Sequence, residues 1–521
     1  MKQAFFKLAL PIATVAALGF ALSPQSEAET TPAANPDEVP AVWENLFDGK
    51  TLFGWNGNPE NWSVENGAIV GRNTEEKPLQ KNTFLVWQGG DLADFHLKVD
   101  FKLEGGNSGI QYRSQLVEDE WTMKGYQADF ESGDTYSGIL YEERGRGILA
   151  QRGQQTEIGD NGKPKVTGSV GDSAEINSKI KKGDWNTYEV IAQGDHIIHM
   201  INGVITSEVT DKDPKNFRDR GLLGFQVHKG PAMKVSFKNI QLRRMKPADK
   251  KKIVFMAGHR SHGYGSHEHR AGCLLLANQL NKHAADQVYA EVRLAKDWPA
   301  NFNALKDADA IVFYCDGGGG HMANSHLEEL DIELKDGTGL ACLHYGVETT
   351  KGERSAYFNK WMGGSFEVHW SVNPHWEADF TKLPDHPITN GVQPFKVHDE
   401  WYFNMRFVPE MKGVTPILTA VPPLSTIERK DGPHSGNEHV RKIVQEQQPV
   451  HVAWAYERPE GGRGFGFTGG HFHKNWGNDN FRKTVLNALA WVAQAEVPAD
   501  GIPSDKITEK DLEKNQDYPK P

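Results

Sequence analysis

Cysteine is scarce: Cys273, Cys315 and Cys342 are the only three in 521 residues. An odd, small set in apolar contexts excludes a disulfide framework, so the fold must rest on its core. Long basic blocks are missing too, and the net charge is −11. That balance excludes nucleic acid and an anionic membrane surface as partners. No Gly-x-Gly-x-x-Gly run opens a helix after a strand, so no dinucleotide site is implied. No internal repeat relates the two halves. Leu8 to Leu22 is mostly apolar, but it is broken by Pro11 and short for a membrane span.

What is present begins with that N-terminus. Met1-Lys2-Gln3 and Lys7 precede the apolar run, and Ser26-Glu27-Ala28 leaves a small residue at a cleavage position. Residues 1–28 read as a secretory signal peptide, which implies a periplasmic or secreted protein with no membrane span after cleavage. Residues 29–41, rich in Ala, Pro, Thr and acidic groups, read as a disordered lead-in.

Residues 42–244 show short period-two runs broken by Gly, Asn and Asp, such as Phe95 to Phe101 and His196 to Met200. That pattern predicts an antiparallel β-sandwich. Asn202-Gly203 predicts a hairpin turn. Three strands carry alternating polar residues: Asn107, Gln111 and Arg113; Gln127 and Asp129; Gln226 and His228. Side chains that offer both donors and acceptors suit a sugar. The 14 tryptophans are in keeping with sugar stacking and equally with a large core. Tyr141 to Gly147 reads as a charged, glycine-broken loop, either on the rim of the same cleft or simply solvated.

Residues 245–250 form a basic, proline-broken linker. From 251 to 495, buried runs alternate with helical patterns: Ile253 to Ala257, Ala310 to Cys315 and Gly339 to Leu343. This predicts a parallel α/β sheet. Of 21 histidines, four (His96, His196, His199, His228) precede His259, leaving 17 in this half. His259, His321 and His344 each follow a strand, where ligands sit in open α/β sheets. His344, His259 and His471 are candidates for metal ligands, implying a divalent metal ion, or for acid/base groups of a sugar site. His398-Asp399-Glu400 offers carboxylates for sugar hydroxyls or a cation. Cys342 reads as a core residue. Residues 496–521 read as a loosely docked tail.

Two resemblances follow from ordered motifs. Asn45 to Trp55, Trp62 to Ala68, Gly106 to Arg113, Gly183 to Tyr188 and Val235 to Ile240 resemble the 3-keto-disaccharide hydrolase domain family. The resemblance implies a concanavalin-like jelly roll that cleaves glycosides oxidised at C3. A C3 ketone acidifies the C2 proton, so such a site needs a base, an electrophile for the C3 oxygen and an acid for the leaving group. Asp129 or His228 is the candidate base, Arg113 or a metal ion the electrophile, and Glu142 or Glu143 the acid. Asn107, Gln111, Gln127 and Gln226 would bind substrate. A separate sugar 3-dehydrogenase would supply the ketone.

Ile253 to His259, Gly339 to His344, Gly363 to Phe366, Asp385 to Ile388, His398 to Tyr402, Gly469 to His471 and Leu486 to Val492 resemble the trehalose-utilisation ThuA-like family. That resemblance implies a class I glutamine amidotransferase-like, flavodoxin-like α/β fold. His344 stands where those enzymes carry a Cys nucleophile, and His473 where they carry an acidic partner. The fold is therefore expected without amidotransferase chemistry. His344 and His471 become candidate catalytic residues, and His259, Asp399 and Glu400 candidate substrate ligands, for a related keto-sugar. The rival function is a non-catalytic sugar-binding sandwich attached to a ThuA-like domain.

Overall fold

The computed structural model describes residues 43–119, 121–247, 249–294 and 305–521. The expected signal peptide and lead-in lie outside the described residues. No helix among the described residues is long and apolar enough to cross a membrane.

The first half is two packed sheets. One contains β1 (Thr83–Trp87), β2 (Asn107–Leu116), β3 (Met123–Glu131), β4 (Leu140–Glu143) and β5 (Leu222–Val227), in the order β4-β3-β2-β5-β1, with Gly147–Ala150 and Trp55–Asn56 at its edges. Every pairing in this sheet is antiparallel. The facing sheet is ten-stranded and built around Asp94–Glu104 and Met233–Met245. Asp94–Glu104 alternates buried and partly exposed side chains, the signature of a strand covered on one face. Between the sheets lie Phe95, Phe101, Phe130, Tyr188, Phe225 and Phe237. Phe225 stacks on Phe237 with ring centroids 4.1 Å apart. Asn202 and Gly203 take φ of 52° and 79° between paired strands, as the predicted hairpin requires. The segment expected to be a rim loop instead begins as strand β4 and pairs with β3.

The second half carries a seven-stranded sheet. Its parallel part consists of β6 (Lys251–Ala257), β7 (Val288–Leu294), β8 (Ala310–Tyr314), β9 (Gly339–Leu343) and β11 (Arg463–Phe467), ordered β7-β6-β8-β9-β11. Strand β10 (Phe395–Glu400) lies outside this sheet, in a hairpin with His375–Phe380. Strands β8 and β9 are buried at every position, as expected of strands covered on both faces. Helix α1 (His269–His283) buries Ala271, Cys273, Leu274, Leu276, Ala277 and Leu280. Helix α2 (Asp479–Val492) is capped by the Asn478 side chain, which accepts from the amides of Asn480 and Phe481. Chain order reverses on either side of β6, so a topological switch point lies between β6 and β8. The C-terminal tail is held more firmly than expected: Ile502 is buried, and Asp517 pairs with Arg270 at 3.2 Å.

A buried ion network joins the halves. Glu44 pairs with Arg244 at 3.1 Å and with Arg293 at 3.0 Å. Glu291 pairs with Arg293 at 2.6 Å and with Lys252 at 3.5 Å. Leu294 packs against both cores. Burial alone would raise the Glu291 pKa, but the cations of Arg293, Lys252 and Arg244 pull it down to about 2. An unfolded-chain glutamate titrates near about 4.3. Its stabilising contribution is therefore present above that pH and lost as pH falls towards 2. Glu291→Gln should cost about 3–5 kcal/mol by leaving cations buried and unpaired. Thermal melts of the variant across this window should also lose part of the wild-type acid dependence.

Candidate functional sites

The outer face of the first sheet carries a polar platform. Register sets Gln111 opposite Gln127 and Gly109 opposite Asp129. Gly109 is required there, because an added Cβ would lie 2.5 Å from the Gln127 side chain. The Gln127 amide donates to Asp129 Oδ1 at 2.8 Å. Its oxygen accepts from Gln111 at 2.9 Å and from Gln226 at 3.2 Å. Asn107 donates to the other Asp129 oxygen at 3.4 Å. Gln111, Gln127, Gln226 and Asp129 are all buried, although they face away from the sandwich core.

Burial pushes the Asp129 carboxyl up to about 7; the Gln127 and Asn107 amides oppose this, and the charges of Glu143 and Glu131 add to it. Glu143 is also raised, chiefly by burial, against a hydrogen bond from Asn82 and the charge of His228. Asn82 donates to Glu143 at 3.3 Å and accepts from the Lys229 amide at 3.0 Å. It thereby ties the end of β5, with His228, to Glu143.

Two expected members are absent from this platform. Arg113 does not share the face of Gln111. The β2–β3 register shifts between Tyr112 and Gln115, and Arg113 takes φ of 45°, so this bulge breaks the alternation on which the expectation rests. Its guanidinium is fully buried and donates to the carbonyls of Ala93 at 2.9 Å and Gly194 at 2.7 Å, and to Asp94 at 3.0 Å. Arg113 is a structural cation and not an electrophile for this face. Glu142 lies on the opposite face from Glu143, because the two are adjacent on one strand. It binds Arg146 at 2.5 Å, which also reaches Asp211 and Asp213. Of the two glutamates, only Glu143 shares the platform with Asp129.

A second site lies at the carboxyl edge of the parallel sheet. His344 follows β9 with φ of 52°, a strained turn for a side chain with a Cβ. The loop after β6 runs to His267, also in a left-handed conformation at φ of 51°. That loop pairs with the segment after β11: the His267 amide donates to the His471 carbonyl at 3.0 Å, and the His473 amide to Gly265 at 2.9 Å. The pairing brings His267 Nε2 to 3.1 Å from His471 Nδ1 and 3.0 Å from His344 Nε2. Glu400, at the end of β10, closes the group: Oε2 is 3.0 Å from His471 Nδ1 and 3.5 Å from His344 Nε2. The Tyr402 hydroxyl lies 3.3 Å from both His344 Nε2 and Glu400 Oε2. The ligand-type atoms of His267, His344, Glu400 and His471 all lie within 4.8 Å of one another, and a second such group is His262, His267 and Asp316.

His259 is exposed, and its contact towards this region is a backbone carbonyl that accepts from His269 Nδ1 at 2.9 Å. His267 takes the place expected for His259, because the loop folds back only after Gly265. His267 lies in a loop bearing Gly263, Gly265 and Ser266, where neither its two-residue spacing to His269 nor any other is an established ligand spacing. Asp399 is a positioning residue and not a substrate ligand. Its carboxylate accepts from the amides of Glu400 at 2.8 Å, Gly470 at 2.8 Å and His471 at 3.0 Å, and from Asn475 at 2.9 Å. His321 caps a short helix through the Ala323 amide at 3.0 Å. Cys342 is fully buried, and burial raises its thiol well above the ordinary value, as befits a core residue.

Residues 42–243 match the model of the 3-keto-alpha-glucoside-1,2-lyase-like domain, and residues 254–492 match the model of the trehalose utilisation domain. The chain thus carries both domains in tandem. No curated protein matches the chain. Among solved structures, a "putative glycosyl hydrolase" from Parabacteroides distasonis is 20% identical, covering 39% of this chain and 94% of its own, with a TM-score of 0.27. The carbohydrate-binding module CBM66 from Bacillus subtilis is 16% identical, covering 36% of this chain and 95% of its own, with a TM-score of 0.25. A "putative ThuA-like protein" from Bacteroides uniformis is 16% identical, covering 48% of this chain and 94% of its own, with a TM-score of 0.35.

The role of Asp399 is testable apart from any activity. Asp399→Ala leaves several buried amides without an acceptor, at about 1–3 kcal/mol each. Hydrogen exchange should show lost protection at Gly470 and His471, with β6 and β8 unchanged.

Proposed function

We propose that this is an exported carbohydrate-processing enzyme whose sandwich cleaves 3-keto-glycosides. The observation that carries the reading is Asp129: a buried carboxyl raised to about 7, set among amide side chains on a face it shares with a second raised carboxyl, Glu143. The match to a 3-keto-alpha-glucoside-1,2-lyase-like domain supports it. Export rests on the pattern of residues 1–28 alone.

In this mechanism Asp129 removes the C2 proton, made acidic by the C3 ketone, and an enolate forms. The enolate electrons then form the C1–C2 double bond and expel the group on C1, whose oxygen takes a proton from Glu143. Water adds at C1 and a proton returns to C2, giving net hydrolysis. Amides from Gln111, Gln127, Gln226 and Asn107 supply neutral donors and acceptors for sugar hydroxyls. The side-chain oxygen of Gln226, Oε1, is buried without a hydrogen-bond partner in the protein. Arg113 does not serve this face; the positive charges that reach the platform carboxyl Glu143 are those of His228, Arg144 and Lys229. Oxidation at C3 belongs to a separate sugar dehydrogenase. The second domain acts on a related keto-sugar.

Exchange of the C2 proton of 3-keto-glucose into heavy water isolates the base, since that sugar has no aglycone to lose. Only ionised Asp129 removes the proton, so exchange should rise with pH below about 7 and level off above it. Asp129→Asn should slow exchange by about 10²–10⁴-fold. Gln127→Leu, which removes a hydrogen bond to the carboxylate, should move the limb to higher pH. Glu143→Gln should retain exchange yet slow aglycone release from a 3-keto-glucoside. Exchange that is independent of pH in this range, or unaffected in Asp129→Asn, contradicts the assignment.

A further inference from the structure

We propose that His267, His344, His471 and Glu400 form a binding site for a divalent transition-metal ion, with one coordination position open to solvent. The argument starts from protons. His344 Nδ1 lies 2.8 Å from the Thr468 carbonyl oxygen. A carbonyl only accepts, so the ring proton sits on Nδ1 and Nε2 carries a bare lone pair. His267 Nδ1 lies 3.2 Å from Asp316 Oδ1, which places its proton in the same way. The two Nε2 atoms nevertheless face each other at 3.0 Å. Both rings are buried.

Around them, His471 Nδ1 lies 3.1 Å from His267 Nε2 and 3.0 Å from Glu400 Oε2. One proton on that nitrogen serves only one of the two neighbours. The Tyr402 hydroxyl, 3.3 Å from both His344 Nε2 and Glu400 Oε2, supplies one more. Lone pairs thus outnumber protons in a buried cluster, and a cation among them removes the conflict. The spacing is compatible: neighbouring ligands about 2.0–2.1 Å from one ion lie about 3 Å apart. Four of the six ligand-atom pairs here lie 3.0 to 3.5 Å apart, and all six lie within 4.8 Å.

Three imidazoles and one carboxylate select zinc, iron, cobalt or nickel over magnesium or calcium. Asp316 and the Thr468 carbonyl hold the distal nitrogens of two ligands, which is the supporting shell of a histidine metal site. Asn373 holds the other Glu400 oxygen at 3.0 Å. The cluster sits beyond the carboxyl ends of the parallel strands, with His267 and Asp316 on the two loops that flank the switch point. His344 is fully buried, whereas His471 and Glu400 retain 9% and 8% exposure. That side leaves an ion a position for water or a substrate oxygen. The proposal does not depend on the chemistry assigned to the sandwich.

The test uses the full chain purified without chelator. Elemental analysis should find a stoichiometric transition metal. After chelation and desalting, Co²⁺ should restore a visible d–d spectrum, and azide should perturb that spectrum by entering the open position. His267→Gln should abolish the spectrum with the near-ultraviolet dichroism unchanged. Asp316→Asn, which keeps all four ligands, should weaken Co²⁺ binding by about 10–100-fold. Full chain that retains no metal after incubation with Zn²⁺ or Co²⁺, or His267→Gln that binds Co²⁺ as the wild type does, overturns the site. A Co²⁺ spectrum indifferent to azide overturns the open position.

Discussion

A carboxylate taken out of water must find hydrogen-bond donors or take up a proton. Asp399 and Asp129 answer that constraint differently, and the two candidate sites follow from the answers. Burial raises both. Asp399 is surrounded by backbone amides and Asn475, which fix the Gly470–Asn475 turn and so place His471 beside His267 and Glu400. Its lone pairs are committed to architecture. Asp129 has only the amides of Gln127 and Asn107. Its affinity for a proton near neutrality is what a base for carbon acids needs. The same physical cost thus builds a scaffold in one half and, in the proposed mechanism, the base in the other.

The fold was legible where local chemistry and tertiary demand agree. Period-two alternation marked the sandwich strands, Asn202-Gly203 its hairpin, and continuous apolar runs the parallel sheet. The polar face with Gln111, Gln127, Asp129 and Gln226 was legible for the same reason, since the alternation holds through those positions and breaks only beyond them. Arg113 was not, because a bulge is an added residue that leaves no mark on composition. Choosing Glu143 over Glu142 required the cross-strand register, which a single strand does not carry. The histidine group was half legible. His344 and His471 stand next to strand ends, whereas His267 reaches them through a loop that pairs with a segment about two hundred residues away in the chain (the His267–His471 amide bond spans that separation). His259, adjacent to its strand in sequence, is carried away from the group by the same loop.

The two halves share a theme without sharing a site. Each gathers polar, titratable groups on a buried surface with limited access to water. The sandwich offers raised carboxyls set among amides, which the proposed mechanism uses for proton transfer at a carbon beside a ketone. The α/β domain offers imidazoles with fixed tautomers, suited to a metal. The buried ion network of Glu44, Glu291, Arg293 and Arg244 links them. Covalent tethering keeps a product of one site at high local concentration near the other, which would be a physical reason for the two proposed keto-sugar sites to occupy one chain.

The central claim is that the sandwich needs a sugar already oxidised at C3. It is tested most directly by offering the full chain a glucoside and its 3-keto counterpart with the same aglycone, and measuring aglycone release. The account predicts release from the 3-keto-glucoside alone, since only the ketone makes the C2 proton removable by Asp129. Equal release from the unoxidised glucoside would contradict it, and would point to direct displacement at C1. Binding of the 3-keto-glucoside without release would contradict it as well, and would make the sandwich a sugar-binding module.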